Sequence, residues 1–192
     1  LCYGGQGVGK TYISSLVIDT LYQKARGKDT AVLSLYCDYQ AQKDQSAVNL
    51  IGGLLRQVAF GETGIPGEIQ SAFDESKRWG GKGLRLPDML ELFAKTISSM
   101  ERVYICVDAV DEVQSQDRPK FLRSLRQIIQ VAPNARLFLT SKLYIRGELE
   151  RHLTGGACIM HIVASQEDIA AYVSERMDDD DQGPDLMTGE LR

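Results

Sequence analysis

The stretch Gly4-Gly5-Gln6-Gly7-Val8-Gly9-Lys10-Thr11 (GGQGVGKT) decides the fold of this chain. It fits the pattern G-x-x-x-x-G-K-[ST], in which glycines let backbone N–H groups converge on a phosphate. Lys10 supplies a cation for the β- and γ-phosphates, and the hydroxyl of Thr11 is a ligand for Mg²⁺. The helix expected after the loop adds its positive N-terminal dipole. We therefore predict that residues 4–11 bind the phosphates of a nucleotide.

The residues on either side of this loop predict a strand before it and a helix after it. Leu1–Tyr3 is an apolar triplet, and apolar residues between Tyr12 and Leu21 recur at helical spacing. Three residues is short for a strand, and the sequence does not start with Met. We expect the chain to be a fragment that begins inside its first strand.

Composition predicts one nucleotide-binding domain. The chain has 192 residues, of which 43% are hydrophobic and 25% charged, close to the average of globular proteins. We assign residues 1–177 to this domain. Residues 178–192 carry an acidic run, Gly183-Pro184 and no periodicity, and are interpreted as a linker or the start of the next region.

Charge, hydropathy and cysteines restrict the partners and the location. The net charge of −4 argues against nucleic acid, because domains that bind it usually carry a basic face. No apolar run approaches the roughly 18 residues that a membrane span needs, so no membrane partner is expected. The four cysteines lack metal-type spacing and lie in apolar stretches, which indicates core thiols in a reducing cytoplasm (Cys2, Cys37, Cys106 and Cys158).

Strands and helices alternate along the chain. After the first helix, apolar runs predict four more strands, at residues 30–39, 103–107, 135–140 and 158–163. Helical patterns occupy residues 46–60, a short stretch ending near Arg78, and segments that begin at Pro87, Pro119 and Ser165. Alternating elements with solidly apolar strands predict a three-layer α/β domain with a mainly parallel five-stranded sheet.

Acidic residues after the strand at 103–107 complete a possible nucleotide site. Asp108 ends this strand and would help Thr11 fix Mg²⁺, as a Walker B aspartate does. Asp111 and Glu112 follow at once, and either could orient or deprotonate an attacking water. Lys142, after the strand at 135–140, could report the presence of the γ-phosphate. The alternative interpretation is that these acids and Lys142 merely solvate strand ends.

The segments GGQGVGKT, VYICVDAVDE and ARLFLTSK together resemble the NACHT domains of STAND-class P-loop NTPases, in particular the nephrocystin-type module of fungal multidomain repeat proteins. The resemblance spans residues 1–177. It implies sheet order 5-1-4-3-2, Mg²⁺-dependent binding of ATP or GTP, slow hydrolysis, and a nucleotide switch in signal transduction that self-associates through the full-length protein. It also implies that Asp108 is the Mg²⁺ partner, that Asp111 or Glu112 activates water, and that Lys142 replaces the usual sensor arginine.

Two other classes of function stay open. One is a scaffold module that nucleotide stabilises without being hydrolysed. The other, a small-molecule kinase or translational-type GTPase, is disfavoured because no N-K-x-D motif occurs and the loops at 61–67 and 80–83 carry no arginine cluster. We also expect His161 to be a packed core residue. Arg118 or Arg123 could act as a finger toward a neighbouring subunit.

Overall fold

A computed structural model describes residues 1–60, 67–78, 83–153 and 158–181. Residues 61–66 and 80–82 of the predicted loops at 61–67 and 80–83, and residues 182–192 of the predicted linker, lie outside these described residues. The chain divides into two compact units, Leu1–Ile162 and Val163–Arg192. The first unit contains the phosphate-loop motif and the acids Asp108, Asp111 and Glu112.

The first unit is built on a five-stranded parallel sheet. Its strands are β1 (Cys2–Gly4), β2 (Thr30–Tyr36), β3 (Arg102–Asp108), β4 (Ala135–Lys142) and β5 (Met160–Ile162). They pair in the order β2-β3-β4-β1-β5, and every pair is parallel. Read from the other edge, this is the predicted order 5-1-4-3-2, which is confirmed. The order places the ends of β1, β3 and β4 side by side.

Seven α-helices accompany the strands in the described part of the chain: α1 (Lys10–Ala25), α2 (Ala47–Ala59), α3 (Gly67–Arg78), α4 (Leu86–Ser98), α5 (Arg118–Val131), α6 (Arg146–Leu153) and α7 (Gln166–Asp181). Their starts follow local sequence signals. Ser46 caps α2 by accepting a hydrogen bond from the N–H of Asn49, and prolines occupy the first turns of α4 and α5. None of the described helices has the length and apolar character to cross a membrane.

The core lies mainly on one face of the sheet. Val103, Ile105 and Val107 of β3 belong to a buried cluster that includes the apolar faces of α2, α4 and α5. Cys106 alternates with them and is also buried, but it lies outside this cluster. Successive strand residues point to opposite faces, so Cys106 faces the side on which α1 packs against β2, β3 and β4. The sheet is therefore covered on both faces, as a parallel sheet requires.

Several details differ from the sequence-based expectations. β2 ends at Tyr36 rather than at residue 39, because Asp38 accepts a hydrogen bond from the N–H of Gln40 and starts a 3₁₀ turn over Tyr39–Asp44. Helix α6 was not predicted, since its eight residues contain few apolar positions. Such short polar helices carry little periodicity for sequence analysis to detect.

Residues of the edge strand are less buried than predicted. His161 is exposed on β5, where its ring stacks on that of Tyr3 with centroids 4.9 Å apart, so the core assignment was wrong. Cys158 is also exposed, whereas Cys2, Cys37 and Cys106 are buried as expected. β5 borders the sheet, and an apolar sequence run does not reveal whether a strand is central or at the edge.

The second unit contains α7. Its start is a capping box, because the N–H of Asp168 donates to Ser165 Oγ and the N–H of Ser165 donates to Asp168 Oδ2. The helix continues to Asp181, so the first residues of the predicted linker are helical.

Candidate functional site

The phosphate-loop motif connects β1 to α1. Its glycines are required for different structural reasons. Gly7 and Gly9 have φ angles of 78° and 83°, a left-handed conformation that side chains disfavour. Gly4 is needed for space instead, because a Cβ atom there would lie 2.4 Å from the carbonyl oxygen of Ile162 on the neighbouring strand. The conformation of the loop and the close packing of its first residue against the neighbouring strand thus both depend on glycine.

Lys10 folds back over this loop. Its Nζ atom donates to the carbonyl oxygen of Gly4 at 3.2 Å and to that of Gly5. The N–H of Ile13 donates to the carbonyl of Gly9, which closes the first turn of α1. The cation and the helix N-terminus therefore lie on the same loop, an arrangement suited to an anion.

Asp108 is the centre of a buried hydroxyl network. Its Oδ2 accepts from Thr11 Oγ1 at 2.8 Å, and its Oδ1 accepts from Ser14 Oγ and Thr140 Oγ1, each at 2.5 Å. Ser14 and Thr140 were not predicted to take part. Their signals were available, since Ser14 follows Thr11 by three residues on one helix face and Thr140 ends the strand predicted at residues 135–140, which pairs with β3.

Asp111 and Glu112 lie on a 3₁₀ turn directly after β3. Asp111 is 5% exposed, and its Oδ1 accepts from the backbone N–H of Lys142 at 3.0 Å. The Nζ atom of Lys142 lies 3.4 Å from Asp111 Oδ2 and 3.8 Å from Glu112 Oε1. The contact with Asp111 Oδ2 is an ion pair. The charge of Asp111 is the main cause that raises the pKa of Lys142, which keeps this amine cationic.

The backbone between Asp108 and this turn is strained. Ala109 has φ 53° and ψ 46°, the left-handed conformation that non-glycine residues rarely adopt. Its N–H donates to Thr140 Oγ1 at 2.9 Å, which helps to hold the bend. The bend changes the direction of the chain after β3, so that Asp111 and Glu112 lie in a 3₁₀ turn at the end of the strand and do not continue the strand.

Arg118 stabilises the 3₁₀ turn Val110–Glu112, the acidic turn, through hydrogen bonds. Its Nη1 donates to the carbonyls of Asp111 (3.1 Å) and Val113 (2.9 Å), and its Nε donates to Glu148 of α6 at 2.9 Å. Arg118 is 7% exposed. A finger toward another subunit needs an exposed guanidinium, so this alternative fails for Arg118; Arg123 is exposed and the alternative stays open there.

These elements surround one cleft of about 380 Å³, within the range typical of ligand sites. The structure brings most predicted site residues to it, while Gly4, Gly5, Val8 and Asp108 do not line it. Two lining residues, Tyr12 and Ala109, were not predicted to belong to the site. The lining residues are Gln6, Gly7, Gly9, Lys10, Thr11, Tyr12, Ala109, Asp111, Glu112 and Lys142.

The residues fit Mg²⁺ bound together with a phosphate. Within the described residues, no group of three or more His, Cys, Asp or Glu side chains could hold a metal by itself. Mg²⁺ does not need such a group, because it usually keeps several waters and is bound through one or two protein ligands and substrate phosphates. The hydroxyl of Thr11 donates to Asp108 and keeps its oxygen lone pairs for a cation.

Comparisons with known proteins agree with this geometry. Residues 1–142 match the family described as nephrocystin 3, N-terminal. No curated protein matches the chain. The match ends at Lys142 and includes the phosphate loop, the acidic turn and all of β4.

Several solved structures share this fold. Cdc6p from Pyrobaculum aerophilum shares 13% identity at a TM-score of 0.60, over 93% of this chain and 42% of that one. Orc1 of Aeropyrum pernix, in complex with DNA, shares 16% identity at a TM-score of 0.54, over 93% and 43%. A Walker-type ATPase of Pyrococcus abyssi shares 14% identity at a TM-score of 0.56, over 94% of this chain and 53% of that one. The chain thus spans about half the length of these proteins or less, and at such identities the likeness shows the fold alone.

Proposed function

The chain belongs to the nephrocystin 3 N-terminal family, a NACHT-type P-loop NTPase module, and we propose that it binds Mg²⁺ with ATP or GTP in the cleft and hydrolyses the nucleotide slowly. In this proposal the bound nucleotide acts as a switch within a larger signal-transduction protein. A module that binds nucleotide without hydrolysing it is the alternative.

The observation that carries the proposal is the hydrogen bond between Thr11 and Asp108. It joins the phosphate loop to the end of β3, so that one cleft contains Lys10 on one wall and Asp111, Glu112 and Lys142 on the other. Phosphoryl transfer depends mainly on positioning and on charge stabilisation, and this cleft offers groups for both.

Each wall has its own role toward a nucleoside triphosphate. The N–H groups of residues 5–11 and the ammonium of Lys10 bind the β- and γ-phosphates, for which Lys10 exchanges its contacts with the carbonyls of Gly4 and Gly5. Mg²⁺, when bound, would offset the negative charge of the phosphates. Thr11 provides the ligand oxygen for it, and Asp108 orients the Thr11 hydroxyl and the water shell.

Asp111 and Glu112 have different roles in this proposal. Glu112 is the better candidate for orienting the attacking water, because its side chain is 23% exposed and lines the cleft. The side chain of Asp111 is 2% exposed and is engaged by the backbone and the amine of Lys142. Asp111 therefore anchors Lys142, whose 38% exposed side chain is available to contact the γ-phosphate.

Binding is tested by calorimetry with ATP, GTP and their diphosphates in the presence of Mg²⁺. We expect Lys10→Ala to weaken triphosphate binding at least tenfold, about 1.4 kcal/mol, since it removes the cation in the loop. Lys28→Ala, an exposed lysine after α1, is the control. Unchanged affinity in Lys10→Ala would refute the site.

Hydrolysis is tested by phosphate release at saturating Mg-nucleotide. We expect Glu112→Gln to lower kcat by about 10²-fold or more with little change in affinity, in line with the effect of losing a positioned acid–base group. Asp111→Asn should act more weakly. Wild-type release no faster than that of Glu112→Gln would favour the non-hydrolysing alternative.

The wider context remains part of the proposal. Self-association through the full-length protein and a cytoplasmic location follow from the family resemblance and the buried thiols. Orc1 of Aeropyrum pernix and Drosophila ORC are bound to DNA in their structures. For this chain we propose no nucleic-acid partner, because its net charge is −4, and fluorescence anisotropy with labelled duplex DNA at low salt checks this.

A further inference from the structure

The segment Asp38–Gln45 follows β2, is fixed to the site at its start and is closed on itself at its end. At its start, the N–H of the preceding residue, Cys37, donates to the carbonyl of Asp108 at 3.0 Å. At its end, the buried side chain of Gln45 returns to Asp38, accepting from its N–H at 3.2 Å and donating to its carbonyl. The side chain of Gln45 thus closes the segment into a loop of defined shape.

This segment holds Glu112 at two points. The N–H of Tyr39 donates to Glu112 Oε2 at 3.0 Å, and Gln42 Nε2 donates to the carbonyl oxygen of Glu112 at 2.9 Å. The first contact orients the carboxylate and the second fixes the backbone that bears it. On the opposite side of the carboxylate, Lys142 lies 3.8 Å from Oε1.

These contacts do little for the core. Tyr39 is 63% exposed, and Gln42 is only half-buried, so water could replace either hydrogen bond at small cost in stability. The turn that carries Glu112 is already stabilised from the other side by Arg118 and from within by the hydrogen bond from the N–H of Glu112 to the carbonyl of Ala109. The contacts from Tyr39 and Gln42 therefore act on the orientation of Glu112 rather than on the fold.

We propose that the Asp38–Gln45 segment positions Glu112 for hydrolysis and that Gln42 is a positioning residue acting through it. This rests on the proposed role of Glu112 in orienting water. A misplacement of about 1 Å can reduce catalysis by up to about 10²-fold, so a contact that costs little stability can matter for turnover.

The test compares Gln42→Ala and Gln42→Glu, which both remove the amide donor, with Gln116→Ala, which changes an exposed glutamine that donates to Gln114. We expect kcat for phosphate release to fall about five- to thirtyfold in both Gln42 variants, with nucleotide Kd and Tm unchanged and Gln116→Ala like wild type. A kcat within twofold of wild type, or parallel losses of kcat, affinity and Tm, would overturn the proposal.

A second measurement separates this proposal from the proposed hydrolysis. Hydrogen exchange at the Tyr39 amide reports its bond to Glu112 whether or not the protein turns over nucleotide. We expect Gln42→Ala to accelerate this exchange several-fold, as Glu112→Ala should, with α2 amides unaffected. Unchanged exchange at Tyr39 in Gln42→Ala would overturn the positioning role, while absent phosphate release in the wild type would refute only the hydrolysis.

Discussion

The hydroxyl of Thr11 lies 2.8 Å from Oδ2 of Asp108, although 97 residues separate the two in the chain. Thr11 lies in the first turn of α1 and Asp108 ends β3, and the parallel sheet brings these two element ends to the same edge. A loop that binds phosphates and a carboxylate that supports Mg²⁺ thereby become one site.

Thr140 is expected to stabilise the Asp108 network. Thr140→Val removes a donor to Asp108 and leaves the N–H of Ala109 without its acceptor, at a fully buried position. We expect a loss of about 1–3 kcal/mol in the free energy of unfolding, measured with urea. Thr140→Ser keeps the hydroxyl and should recover most of the loss. A stable Thr140→Val variant would contradict the network.

Gly4 and Gly5 should respond differently to alanine. A Cβ at Gly4 would meet the backbone oxygen of Ile162 at 2.4 Å, whereas at Gly5 the nearest atom is a Val8 methyl at 3.7 Å. We expect Gly4→Ala to destabilise the protein by about 1–3 kcal/mol. Gly5→Ala should change stability by no more than about 0.5 kcal/mol. Equal Tm values for the two variants would argue against this packing.

Replacing Ala109 by glycine should stabilise the folded protein. Its left-handed backbone costs a side-chain-bearing residue about 1–2 kcal/mol, which outweighs the extra entropy of glycine in the unfolded chain. We expect Ala109→Gly to raise the free energy of unfolding by about 0.5–1 kcal/mol. The control Ala94→Gly, within α4, should lower it by about 1 kcal/mol. Destabilisation by both changes would contradict the strain.

Arg118 and Arg123 lie on one helix, but their contributions to stability should differ strongly. Arg118→Ala leaves Glu148 and two turn carbonyls without their buried partner, and we expect a loss of about 3 kcal/mol in urea unfolding. Arg123 is exposed, and Arg123→Ala should stay within about 0.5 kcal/mol. Similar small losses for both would show that Arg118 does not hold the acidic turn.

The buried thiols should be inert near neutral pH and should make stability fall in alkali. Burial, reinforced by Asp108, Asp111 and Glu112, raises the pKa of Cys37 to about 12, and burial raises that of Cys106 to about 11. Their ordinary pKa is near 9.0, so the folded state favours the neutral thiols. This contribution is complete below about pH 9 and is lost as the pH rises toward 12.

Alkylation with iodoacetamide, read by mass spectrometry, checks the thiols directly. At pH 8 we expect exposed Cys158 to react in the native protein, while Cys37 and Cys106 react only after unfolding. Cys158→Ser should therefore remove most of the native labelling. Native labelling of Cys37 as fast as that of Cys158 would contradict its burial.

Local patterns predicted most of the fold because they report on elements that bury one continuous face. The strand of residues 103–107, the capping box at Ser165 and the proline starts of α4 and α5 are all found. The failures lie where local pattern and environment diverge. The apolar run around His161 became an exposed edge strand, and the short polar helix α6 had no periodicity to reveal it.

By itself, the sequence determined that the chain has a phosphate loop, an acidic strand end and an alternating α/β order, because these follow from short-range spacing and apolar periodicity. The tertiary structure alone decided which groups meet. It gave Asp108 its hydroxyl partners Ser14 and Thr140, buried Arg118 behind the acidic turn, and placed Gln42 against Glu112. Such contacts join residues 7 to 94 positions apart. They depend on strand order and on a strained bend at Ala109, which local sequence patterns do not encode.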